Sequence, residues 1–227
     1  MFDFLFGLEA KRRGLSTKVP KGPLKNFLSV PFPEPNTPIS EVPMLALDFE
    51  TSGFNATTDH LLSIGHVEIN QLSIKLASAE HYLLKSGIER AGDNVAIHQI
   101  TELESQQGLS LENAIERLLN AMAGKVILVH YAKIEQTFLA AACKALYGYA
   151  PVFPIIDSLV VAKNRLDQRQ AAYDPSNLRL TNLRDSYQLP AHYAHNALND
   201  AVATGELLLA EIAHHHSRQK PLKHFLR

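Results

Sequence analysis

The alternation of apolar and polar positions divides the chain into a short amphipathic opening, a proline-rich passage and a long region where strand-like runs precede helix-like ones. Met44 to Phe49 is an apolar run of strand length. A second follows at Leu61 to Ile69 and a third at Ile74 to Lys85, with the turn-like Asn70-Gln71 between them. Leu111, Ala114, Ile115, Leu118, Leu119 and Met122 predict a helix over about 110–122 with one buried stripe. Lys125 to His130 reads as a short buried strand, and Val152 to Ile156 as a fifth strand ending at Asp157. Between them a helix opens at Glu135, which shares its face with Phe138, Leu139, Ala142 and Leu146. A mixed helical and polar stretch runs to Leu189. Asn196 to Ala213 then forms a closing helix with Leu198, Val202, Gly205, Leu209 and Ile212 along one side. Strands first, then helices alternating with strands, predict an α/β fold with a mixed central sheet covered by helices.

Residues 1–43 stand apart as a basic segment and a linker, before a folded domain at 44–216 and a tail at 217–227. Phe2, Leu5, Phe6 and Leu8 form an apolar side, with Lys11, Arg12, Arg13, Lys18, Lys21 and Lys25 outside it. A helix docked on the domain is the plain reading, and a membrane-surface or partner-binding arm is the alternative. Four prolines between Val30 and Pro38 favour extended geometry, as a linker or strap.

Composition changes this picture little. A chain of 227 residues, 46% hydrophobic, can bury one sizeable core. A net charge of −1 gives no global basic footprint, so any strand-binding surface is local. The single Cys143 excludes an intramolecular disulfide and a cysteine-rich zinc site, and it falls on a helix as a small packing residue. The opening apolar stretch precedes its basic cluster, the reverse of a signal peptide, and no run reaches the roughly 18–20 apolar residues of a membrane span. A soluble cytoplasmic protein is the expectation.

The chemistry gathers at three places. Asp48 and Glu50 lie two residues apart in a strand, so both carboxylates point to one face. His195-Asn-Ala-Leu-Asn-Asp200 supplies an imidazole and a third carboxylate at the mouth of the last helix. Glu135 offers a fourth, bordering an apolar face where an unpaired charge costs several kcal/mol and calls for a cation. Oxygen ligands with no thiolate among them suit Mg²⁺ or Mn²⁺.

In this order the motifs resemble those of the DEDDh 3′-to-5′ exonucleases, which include the proofreading subunit of bacterial DNA polymerase III. The first motif, D-x-E-T-x-G, is met by Asp48 to Gly53, and the third, H-x-A-x-x-D, by His195 to Asp200. The second usually reads H-N-x-x-F-D-x-x-F-L. Here it is His130-Tyr-Ala-Lys-Ile-Glu-Gln-Thr-Phe-Leu139, with Glu135 where aspartate is usual.

Over residues 44–213 the resemblance implies a ribonuclease H-like fold and two bound divalent ions, Mg²⁺ or Mn²⁺. It implies that Asp48 bridges the ions, that Glu50 and Asp200 complete the water-activating side, that Glu135 contacts the metals directly or through water, and that His195 is the general base. One ion would activate the attacking water and the other would stabilise the departing 3′-oxygen. The implied substrate is the 3′ end of single-stranded DNA, released as nucleoside 5′-monophosphates, with RNA or short oligoribonucleotides as the alternative. Thr51 would hold the terminal nucleotide and Leu62 would pack on its base. His98, in Ile97-His-Gln-Ile-Thr101, looks like a segment that contacts that nucleotide in relatives, although Gln99 replaces the usual glycine; the other reading of His98 is a structural histidine. Asp93 is a weaker candidate for the same contact.

The added methylene at Glu135 matters where about 1 Å can change rate 10²-fold. The backbone compensates, the metal shell differs, or catalysis is lost and a binding or scaffold module remains. Arg165, Arg169, Arg179 and Arg184 could meet phosphates, although a solvated face is the commoner use of such residues. Asp157 reads as a structural cap and His214-His-His216 as a solvated helix tail. Gln71 to Lys75 faintly resembles a sliding-clamp peptide but starts a strand, and the sequence identifies no polymerase partner.

Overall fold

The computed structural model describes residues 2–85, 108–168 and 172–226. β1 (Met44–Thr51) lies at the centre of a five-stranded sheet of order β3-β2-β1-β4-β5. It runs antiparallel to β2 (Leu61–Asn70), which pairs antiparallel with β3 (Ser73–Leu83). It runs parallel to β4 (Val126–Val129), which pairs parallel with β5 (Ile155–Asp157). Gln71 and Leu72, at φ 51° and 53°, form the β2–β3 turn, and two positive φ values are what a two-residue hairpin of matching twist requires.

β5 begins three residues later than expected. Pro151 and Pro154 have no N–H to donate, so the ladder starts only beyond Pro154, whose carbonyl accepts the Ile127 N–H at 2.9 Å.

The period of β1 assigns its faces. Leu45, Leu47 and Phe49 pack with α3 (Leu111–Met122) and α4 (Lys133–Tyr147), while Met44 and Ala46 pack with Leu208 and Ile212 of α7 (Ala197–His214). Asp48 and Glu50 continue the α7 side. Cys143 is fully buried in the first cluster, and burial pushes its thiol up to about 12, as befits an inert packing residue.

α1 (Phe2–Lys18) and α2 (Pro23–Ser29) dock on the α3 side, where Leu8, Val19, Leu24, Phe27 and Leu28 join the core. Arg12, expected on the outer side, is only 6% exposed. Its guanidinium pairs with Glu9, donates to the Leu28 carbonyl and lies 5.7 Å over the Phe32 ring. The proline-rich passage is a strap that pairs with the C-terminal tail. Ile39 N–H donates to Lys220 O at 2.9 Å and Leu222 N–H to Thr37 O at 2.8 Å, and Leu226 bridges back to Ile156 of β5. Among the described residues, no helix is long and apolar enough to cross a membrane.

Candidate active site

Carboxylate oxygens of Asp48, Glu50 and Asp200 lie within 4.8 Å of one another. Two come from the face of β1, and the third arrives because the first turn of α7 rests directly on β2. The contact falls at Gly65, the strand partner of Asp48. A Cβ there would stand 2.1 Å from Leu198 N and 2.2 Å from Ala197 C, so only glycine lets the helix approach. Asn196 caps α7, accepting the Asn199 N–H at 3.1 Å. Asp200 reaches back from the same turn. Its Oδ2 accepts the His195 N–H at 2.9 Å, and its Oδ1 lies 3.0 Å from His192 Nε2.

Glu135 sits in the first turn of α4, 3% exposed and close enough to Asp48 to raise its pKa, but outside the group of three. Its own backbone N–H and that of Phe49 favour the ionised carboxylate, against burial, and among the described residues Oε2 has no hydrogen-bond partner. The start of α4 is held from β5 and α5 (Ser158–Gln168), since Ala132 supplies no side-chain cap. Asp157 accepts the N–H groups of Tyr131 and Ala132, both at 3.0 Å, the capping role the sequence suggested. His130 is fixed by Ser158 Oγ at 2.8 Å and the Leu178 carbonyl at 3.0 Å.

These carboxyls resist ionisation. Burial, then the charges of Glu135, Asp200 and Glu50, raises Asp48 well above its ordinary value. Burial and then Asp200 push Glu50 up to about 7, and burial pushes Glu135 up to about 8. Burial also raises Asp200, partly offset by His192 and the His195 N–H. Four oxygen donors that repel one another, one with a buried unpartnered atom, fit hard divalent cations.

The pH dependence follows with a definite sign. Because the folded-state pKa values are raised, the stability these groups contribute is fully present below the ordinary carboxylate range. It is lost as pH rises through about 7 to 8. Calorimetry in EDTA is expected to show a melting temperature that falls over this window, with added Mg²⁺ or Mn²⁺ reversing the fall. A flat profile would contradict the raised values.

The remaining candidates fall unevenly. Thr51 Oγ donates to Gly53 O at 2.7 Å. Leu62 is only 3% exposed at the start of β2. His195 is exposed, with φ 65°. His98, Asp93, Gln99 and Arg169 lie outside the described residues.

The described arginines do not form one surface. Arg184 is neither solvated nor open to a phosphate: it is 2% exposed, donates to Ala203 O and Pro190 O at 2.7 and 2.9 Å, and pairs with Glu206 at 2.8 Å. It thereby ties the histidine-bearing loop to α7. Arg165 pairs with Glu211 at 3.3 Å, and Arg179 is exposed ahead of α6 (Leu180–Ser186). The histidine run at 214–216 is not wholly solvated, since His215 Nε2 lies 3.4 Å from Glu211 Oε2 and the His214 ring is 5.4 Å from that of Tyr187. His192 was missed. A second histidine three positions before His195 was the available signal.

Fold and site together define a ribonuclease H-like nuclease domain with an acidic site suited to divalent metal. The family profile described as Exonuclease matches residues 45–208, and the chain belongs to that family, in its DEDDh 3′-to-5′ class. A DNA polymerase III PolC-type from Thermotoga petrophila is 28% identical over 165 residues, 73% of this chain. One from Caldanaerobacter subterraneus subsp. tengcongensis is 22% identical over the same length. The chain spans about a tenth of these relatives, 11% of each. Among solved structures, the nuclease domain of 3′hExo, a DEDDh family member bound to rAMP, superposes with TM-score 0.66 at 13% identity, covering 80% of this chain and 96% of that one. The E. coli ExoI–ssDNA complex in its zinc-bound form gives TM-score 0.66 at 18% identity, covering 77% and 41%.

Proposed function

We propose that the protein is a metal-dependent exonuclease that shortens single-stranded DNA from its 3′ end and releases nucleoside 5′-monophosphates. The observation that carries this reading is the convergence of Asp48, Glu50 and Asp200 within 4.8 Å, at positions matching the first and third motifs. Asp48, Glu50, Glu135 and Asp200 would hold two Mg²⁺ or Mn²⁺ ions, which supply an activated water and neutralise charge on the phosphate and the departing 3′-oxygen.

The chain's own residues do the rest. His195, at the edge of the site, accepts the proton of the attacking water, and the bond from its backbone N–H to Asp200 fixes where its ring begins. His192 holds the other oxygen of Asp200, which orients that carboxylate toward Asp48 and Glu50. Glu135 meets the site from the first turn of α4, where its carboxylate faces Asp48 from beside the other three. Exposed aromatic rings on the loops beside the acids, Phe54 at 84% and Tyr193 at 78%, suit stacking on unpaired bases.

The test is a rate comparison on strands of matched sequence in DNA and RNA. The reading expects faster shortening of DNA. Faster shortening of RNA would transfer the assignment to the oligoribonucleotide alternative, with the same residues in the same roles.

A further inference from the structure

The end of α7 opposite Asp200 carries a second feature that the exonuclease chemistry does not use. A cavity of about 670 Å³ opens there between α5 and the C-terminal tail. His215 follows Asp200 by fifteen positions, at the end of α7, so the cavity lies about 22 Å from the acidic site at 1.5 Å per residue. Most of its wall beyond α5 comes from residues 215–226, outside the span 45–208 shared with the exonuclease family.

Its lining is basic in a chain that is slightly acidic overall. Arg165, Lys220 and Lys223 face it, with the imidazoles of His215 and His224, and Lys223 Nζ also donates to Asn36 Oδ1 at 2.8 Å. Among the described residues, the wall's one carboxylate, Asp167, is already bonded by Lys163 and by the Tyr173 hydroxyl. Val161, Phe225 and Leu226 give it an apolar side.

Behind the wall is a buried support. Glu211 is 2% exposed, and its Oε2 accepts the Tyr187 hydroxyl at 2.7 Å while lying 3.3 Å from Arg165 Nε and 3.4 Å from His215 Nε2. Arg165 lies at this wall with its planar guanidinium, a fork whose geometry matches a phosphate. Glu211 thereby holds Arg165 and His215 in place at the cavity wall. Lys220 is exposed on the rim, and its place is fixed by the backbone, where its carbonyl accepts the Ile39 N–H at 2.9 Å.

We propose that this cavity is a second ligand site, taking the phosphate group of a nucleotide on Arg165, Lys220 and Lys223, with the nucleoside against Val161 and Phe225. The volume lies within the range of about 300–1,000 Å³ usual for small-molecule sites. The phosphate comes from a free nucleotide or from the end of a strand, and the two sources share this chemistry.

Calorimetric titration of the full chain with ADP in EDTA, which removes the metal route to the acidic site, tests the proposal. Saturable binding is expected. Lys220→Glu should weaken it at least about tenfold, as loss of a charge-assisted hydrogen bond does, while Lys220→Arg retains it. A parallel titration with a 5′-phosphorylated oligothymidylate separates the sources. Lys220-dependent binding of ADP identifies the free nucleotide, and Lys220-dependent binding of the oligonucleotide alone identifies the strand end. Binding of neither, or binding that Lys220→Glu leaves unchanged in a variant of normal melting temperature, overturns the proposal.

Discussion

Asp48→Asn is expected to lower exonuclease activity by about 10⁴-fold, the scale seen when a central catalytic group is removed, and to raise the melting temperature of the metal-free protein. The two effects have one cause. Asp48 is partly buried and faces Glu50, Glu135 and Asp200, so its carboxylate is the most strongly opposed charge in the cluster. Asparagine keeps the shape and removes the charge. With relief of about 1 kcal/mol, a chain of this size should melt about 2–4 °C higher in EDTA at slightly alkaline pH. In excess Mg²⁺ the order should reverse, because only the unsubstituted protein gains the stabilisation of bound metal. A site built for structure would behave oppositely, with Asp48→Asn lowering the melting temperature in EDTA.

Gly65→Ala is the second large effect. The added methyl would overlap the backbone of Ala197 and Leu198 at distances no real contact tolerates, and backbone cannot rotate away as a side chain can. The helix must lift from the sheet. The expected cost is at least about 3 kcal/mol, at the upper end of overpacking penalties. Because α7 carries Asp200, the displacement also separates Asp200 from Asp48 and Glu50, and metal affinity should fall together with stability. Calorimetry with and without Mn²⁺ reads both quantities. A Gly65→Ala protein with unchanged melting temperature and unchanged Mn²⁺ binding would show that α7 does not rest directly on β2 at this point.

Much of this was legible in the sequence because it rests on short-range periodicity. The two-residue period of a strand puts Asp48 and Glu50 on one face, and the five-residue step from His195 to Asp200 marks the mouth of α7. Asp157 was readable as a cap from its place at a strand end, and Cys143 as a packing residue from its helical neighbours.

What escaped depends on partners distant in sequence. Arg12 and Arg184 look like surface cations until Leu28 O, Ala203 O and Pro190 O are found beside them. The role of Gly65 is written only as a glycine inside a strand pattern, a hint of close approach that does not say what approaches. The pairing of the proline-rich strap with residues 217–226 joins the two ends of the chain, and no local pattern encodes it. Glu135 is legible as an acid near the site, but its place outside the group of three carboxylates is a tertiary fact.

The most direct measurement is the fate of a 5′-labelled single strand of DNA incubated with the protein and Mg²⁺ or Mn²⁺, resolved on a sequencing gel beside an Asp48→Asn control. The account predicts a ladder that shortens from the 3′ end, requires the metal and is absent from the control, with Glu135 serving in place of aspartate. An intact strand, with a matched RNA strand equally intact, would contradict it and leave a metal-binding fold without the reaction.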